Sequence, residues 1–155
     1  MKIKHIWSVL CKESIINQDD NIISLIGIIE ELNSTITPMD SGLSRPEKIT
    51  IPFTFEIVNY WIKESDEEIK MQIKTEVLDP DGKELSNIVN ESIFPESVKQ
   101  LRTRLKAQGL TVSNSGSYHF RISLKTPKDE NYKVMVELPM KVNIQIKNSH
   151  KSSSN

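Results

Sequence analysis

The sequence predicts an all-β protein, a single antiparallel β-sandwich of about seven to nine short strands. Three observations predict it. Residues 116–125 alternate strictly: Tyr118, Phe120, Ile122 and Leu124 fall on one side, His119, Arg121, Ser123 and Lys125 on the other. A period of two is what a half-buried strand requires, because successive side chains point to opposite faces. Asp79-Pro80-Asp81-Gly82 is a turn in which proline presets one φ and Asp-Gly tolerates positive φ. Turn signals recur along the chain, and no segment shows a long helical period.

Taken in order, residues 3–11 form a first strand, with Ile3, His5, Trp7 and Val9 on one face and Lys4, Ile6, Ser8 and Leu10 on the other. The polar stretch 12–21 ends in the turn cluster Asp19-Asp20-Asn21. The most apolar run, Ile22 to Ile29, reads as a buried strand, with Gly27 marking a bulge or a close approach. Residues 33–50 carry Pro38, Gly42 and Pro46, and their middle reads as a long surface connection. Ile51, Phe53, Phe55 and Ile57 begin a strand that runs to about Trp61, and the acidic run Glu64 to Glu68 is its hairpin loop.

Ile69, Met71, Ile73, Thr75 and Val77 then alternate with Lys70, Gln72, Lys74 and Glu76. Asp79 to Gly82 closes a hairpin into residues 83–94. Residues 95–108 fit a short helix or a strand on spacing. The strand is preferred, after a single helical turn at 96–99, since a helix would interrupt the antiparallel series. Tyr132 to Ile146 supplies the last strand or strands, with Pro139 marking a break or an edge. The domain is 1–146, and the serine-rich 147–155 is expected to be a disordered tail.

At 155 residues with a formal net charge of −1, the chain is one domain without a global field favouring nucleic acid or an anionic membrane. Its lone cysteine, Cys11, excludes an intrachain disulfide and reads as a small buried hydrophobe. The run after Lys2 and Lys4 is too short and too polar for a signal peptide, so the expected location is the cytoplasm.

Chemistry-bearing motifs are scarce. His5, His119 and His150 show no zinc spacing, and no nucleophile elbow, P-loop or dinucleotide fingerprint occurs. No catalytic residue, metal or cofactor is therefore called for. Asp19, Asp20, Asp79, Asp81 and Asp129 would have to converge to hold calcium. If residues 101–107 and 117–125 pair as a hairpin, Arg102, Arg104, Lys106, His119, Arg121 and Lys125 make one basic face, a candidate partner-binding surface. The alternative is a solvated face neutralised by glutamates such as Glu137. Trp7, Tyr60, Trp61 and Tyr132 read as packing residues rather than a sugar platform.

Together, Ile6-Trp7-Ser8-Val9-Leu10-Cys11, Ser24 to Ile29, Asp79 to Gly82, and Gly109 followed by Gly116-Ser117-Tyr118-His119-Phe120 resemble an uncharacterised bacterial family of immunoglobulin-like or jelly-roll-like proteins. The resemblance implies an immunoglobulin-like sandwich in which a tyrosine at the start of a late strand ties that strand to the preceding loop. It implies no activity. The expected function is a non-enzymatic binding module for a protein partner or a second copy of itself, through an edge strand or the 38–50 loop. The alternative is a calcium-dependent or carbohydrate-binding module.

Overall fold

A computed structural model describes residues 3–37 and 48–147, and these form a two-layer β-sandwich. The strands are β1 (Ile3–Ile16), β2 (Ile23–Ile28), β3 (Glu31–Ile36), β4 (Ile49–Lys63), β5 (Ile69–Leu78), β6 (Glu84–Phe94), β7 (Gln100–Val112), β8 (Gly116–Lys125) and β9 (Lys133–Ile146). One sheet has the order β2-β1-β4-β7 and the other β3-β9-β8-β5-β6. No helix long and apolar enough to cross a membrane occurs among the described residues.

The alternating segments supply the core. Phe55, Ile57 and Trp61 of β4 meet Met71, Ile73 and Val77 of β5 and Tyr118, Phe120, Ile122 and Leu124 of β8, all buried. Phe55 lies edge-to-face on Phe120, ring centres 5.6 Å apart, an arrangement that matches the quadrupoles of the two rings. Lys63 caps one end of this core. Its ammonium donates to the carbonyls of Glu67 and Pro95 and sits 4.9 Å from the centre of the Phe94 ring.

The turn at Asp79 to Gly82 and the tyrosine tie implied by the resemblance both form. Asp79 accepts at its backbone oxygen from Gly82 N–H, with Gly82 at φ 81°, and its carboxylate accepts from the backbone N–H of Asp81 and Lys83. Tyr118 is fully buried, and its hydroxyl ties β8 to the loop before it. It accepts from the N–H of Ser113 at 2.9 Å and of Asn114 at 3.1 Å, and donates to Asn114 O at 2.7 Å.

Five local expectations are corrected. The sheets are not wholly antiparallel, because β3 pairs with β9 in parallel. That strand ends within the stretch 33–50, whose middle reads as a surface connection and whose residues 38–47 lie outside the described set, as does the tail beyond 147. The run Ile22 to Ile29 is an edge rather than a buried strand: Ile22, Ile26 and Ile28 are exposed. Gly27 does mark a close approach, at φ 65° with the Lys12 stem against the site of its missing Cβ. Residues 64–68 cross from one sheet to the other instead of closing a hairpin. No helical turn forms at 96–99. The chain turns through Ser97 at φ 59°, and β7 begins at Gln100.

The fifth correction concerns β1, where a bulge at His5/Trp7 shifts the register against β4. The extra residue returns the next side chain to the same face. Ile3, His5, Ser8 and Leu10 consequently face inward, paired with Lys63, Trp61, Asn59 and Ile57. Trp7 and Val9 face outward, where Trp7 packs against Tyr60 with the rings tilted by 31°.

Replacing Tyr118 with Phe keeps the ring and strands two loop N–H groups and a carbonyl. The expected loss is about 1–3 kcal/mol of unfolding free energy, read from urea melts, with the strand content unchanged. An unchanged midpoint would show that water satisfies the loop equally well.

Candidate functional site on the open side of the sandwich

Five strands face four, so β6 extends past the last strand of the opposite sheet. β6 and β7 each keep one unpaired edge on the same side of the molecule, and no ladder joins them. Between them a cleft of about 640 Å³ leads to the interior, floored by Asn59, Ile73 and Thr75 and walled by Asn90 and Ser92 of β6 and Thr103 of β7.

The floor is crossed by a polar row. Ser8, Asn59 and Thr103 occupy register-matched inward positions on β1, β4 and β7. Ser8 Oγ donates to Asn59 Oδ1 at 2.6 Å, and Asn59 Nδ2 donates to Thr103 Oγ1 at 3.3 Å. Trp61 Nε1 donates to the same Thr103 oxygen at 2.9 Å. His5 Nε2 lies 2.7 Å from Ser8 Oγ, and its ring packs edge-on against Trp61. Burial lowers the His5 pKa, opposed by a hydrogen bond to the Trp7 backbone, so the ring is neutral at pH 7. The Ser8 proton is committed to Asn59. A serine nucleophile needs that proton directed at its base, so this Ser–His contact is a packing network rather than an activated nucleophile.

The six basic residues singled out in the sequence do not form one face. β7 and β8 lie in different sheets, and the hairpin that would have joined them is absent. Arg102, Arg104 and Lys106 point from the outer face of β7 and hold down the β1–β2 hairpin. Arg102 Nη1 donates to Asn21 O and Oδ1, and Arg104 Nη1 reaches Ser14. Lys106 Nζ pairs with Glu56 at 3.3 Å. The hairpin arm thereby covers the outer face of β4, and Glu56 and Val58 are buried there at 3% and 0% exposure.

His119, Arg121 and Lys125 stand on the outer face of the other sheet. Arg121 Nε pairs with Glu137 at 2.7 Å, the neutralisation foreseen as the alternative. His119 lies between Leu78 and Pro139 in register, and Lys125 sits 5.8 Å from the Tyr132 ring centre. A groove of about 810 Å³ runs beside it, between Lys70, Gln72, Ile93 and Pro127.

The aspartates stay in their own turns. Asp20 accepts from Ile22 N–H, Asp79 from its turn, and Asp129 from Thr126, with Lys133 holding its carboxyl ionised. Among the described residues no three His, Cys, Asp or Glu gather where they could hold a metal ion. Cys11 is fully buried beside Glu56, and burial, then that carboxylate's charge, raise its thiol pKa.

The polar row escaped the sequence reading, although a signal for it exists. Asn59 continues the inward series Phe55, Ile57 and Trp61, so an amide sits where the pattern demands an apolar residue. Ser8 was not legible, because the bulge that turns it inward leaves no mark in composition.

Glu56 gives a pH test of the hairpin cover. Burial raises its pKa, but the Ser14 hydroxyl, Lys106 and the charges of Lys106 and Arg104 together outweigh burial and hold it below the ordinary value. A depressed carboxyl pKa stabilises the fold above the unfolded value of 4.5, and that stability is lost as pH falls through the folded value. Thermal melts of wild type and Glu56→Gln should differ most near neutrality and converge as the solution is acidified below pH 4.5. A gap constant across the acid range would mean that the carboxylate is not held in its charged form. Neither a scan against protein-family models nor a search of curated proteins finds a match for this chain.

Proposed function

We propose that the chain is a non-enzymatic cytoplasmic binding module that self-associates through the free edge of β6. One observation carries this reading: β6 is an eleven-residue edge strand, Glu84–Phe94, with no lysine, arginine, histidine or proline. Exposed edges template pairing with another chain unless blunted by charge, proline, a bulge or shortness. Ile88, Val89 and Ile93 on this strand are 44%, 46% and 50% exposed.

The other three edges are protected. β2 and β3 have six residues each, and β2 carries the Gly27 kink. β7 bears Arg102, Arg104 and Lys106 along its length. A second copy fits β6 by its own sequence. Antiparallel pairing about a twofold axis at Val89 sets Val89 opposite Val89, Leu85 opposite Ile93, and Asn87 opposite Glu91. Val89 meets its own copy and Leu85 meets Ile93, Glu91 meets an amide rather than another acid, and on the inner side Ile88 falls opposite Asn90. Such a contact extends one sheet across both protomers.

The contact is small, so association is expected on the order of 100 μM, below the strength of an obligate dimer. Sedimentation equilibrium should show a concentration-dependent dimer, and Val89→Lys should leave a monomer of unchanged melting temperature, because Val89 is exposed. A chain that stays monomeric throughout, or a Val89→Lys variant that still dimerises, would refute the reading.

A further inference from the structure

We propose that the cleft between β6 and β7 binds a small neutral polyhydroxylated molecule, a sugar or cyclic polyol. The site does not depend on pairing at β6, since its lining side chains point between the sheets rather than along the strand edge.

Thr75 carries the argument. It is an inward residue of β5, only 6% exposed, and it lines the floor of the cleft. Its hydroxyl has no hydrogen-bond partner among the described residues, yet its oxygen is not sealed from the cleft. Water entering the cleft can satisfy this hydroxyl, and a ligand hydroxyl can take that water's place. Across the floor, Thr103 Oγ1 accepts from both Trp61 and Asn59, which occupies both lone pairs. Its own proton is left to an acceptor in the cleft. Thr103 is therefore a donor set at the end of the chain Ser8–Asn59–Thr103, whose members polarise one another.

Asn90 and Ser92 complete the wall on β6, their side chains without a partner among the described residues and facing inward from positions opposite Ile73 and Met71. The cleft thus presents hydroxyls and an amide on two facing walls, able both to donate and to accept. A ligand that answers this set carries several hydroxyl groups of its own. Four charged residues line the cleft beside these groups, and each already has a partner in the chain. Arg102, Arg104 and Lys106 at one rim are engaged on the outer face of their sheet, and Glu91 at the other is held by Gln72. With these charges engaged elsewhere, a neutral ligand can bind the hydroxyls and the amide without displacing an ion pair. The volume of about 640 Å³ accommodates a ligand of one or two rings.

The test is a titration of the ¹⁵N-labelled full chain with D-glucose, D-galactose, maltose and myo-inositol to about 50 mM, with sodium acetate and phosphate as charged controls. At least one neutral probe should shift the amides of Asn59, Thr75, Asn90 and Thr103 together. Thr75→Val should weaken that response about three- to tenfold, while its melting temperature stays level or rises because no protein hydrogen bond is lost. Absence of cleft shifts with all four neutral probes would overturn the proposal. So would equal binding by Thr75→Val, or binding of the anions alone. Val89→Lys should bind like wild type, which separates this site from self-association at β6.

Discussion

Five strands laid over four leave one strand with nothing across from it, and this mismatch governs what the molecule exposes. The core closes where both layers are present, around Trp61, Phe55, Phe120 and Ile122. Past β7 no further strand among the described residues covers β6. Its inward residues Ser86, Ile88, Asn90 and Ser92 are accordingly small, polar or exposed, in place of the large apolar groups that the middle of the sheet carries. Only Phe94, at the end of β6, is fully buried, under the ammonium of Lys63. The composition of β6 and the cleft beneath it have one cause.

The four-stranded sheet solves the opposite problem on its outer face. β4 is apolar or buried on both sides, with Val58 and Glu56 outward as well as Ile57 and Trp61 inward. A strand buried on both faces needs two covering layers, and the second layer is the chain's own β1–β2 hairpin. The arm is held by polar contacts: Ser14 to Glu56, Arg104 to Ser14, and Arg102 to Asn21. Residues that resemble a basic recognition face in one dimension are, in three, the fastenings of this cover. Positive charge on β7 has a second effect, since it leaves β7 the guarded edge and β6 the unguarded one.

Alternation made β4, β5 and β8 legible and turn chemistry made Asp79 to Gly82 legible, because each is decided by neighbours within a few residues; the Tyr118 tie was legible only through the resemblance to immunoglobulin-like domains. What was not legible depended on partners far along the chain. Residues 101–107 and 117–125 look like the two arms of a hairpin, yet the loop between them carries the chain to the other sheet. β3 pairs with β9 at the far end of the sequence, a contact that no local pattern announces. The apolar run at β2 suggested burial. Its isoleucines are instead an edge, because hydrophobicity alone does not say which strand ends a sheet. The bulge at His5/Trp7 inverted the inward and outward assignment of most of β1 and hid Ser8 from the site.

The row Ser8–Asn59–Thr103 is difficult to explain as a stability device. Each member sits where its neighbours in register are Trp61, Ile57, Leu101 or Leu105, and an apolar row would pack without any requirement for paired donors. Removing one member of such a row is expensive, but replacing the whole row with apolar groups of similar shape costs little. Thr75 sharpens the point, since it lies in the same interior and bonds to nothing in the chain that the structure describes. Polar groups that do not support one another, on opposite walls of an opening to solvent, are better accounted for by what enters the opening than by the fold around it. Hydrogen-bonding capacity is concentrated beside the open edges of β6 and β7, and among the described residues the closed half of the sandwich carries no comparable row.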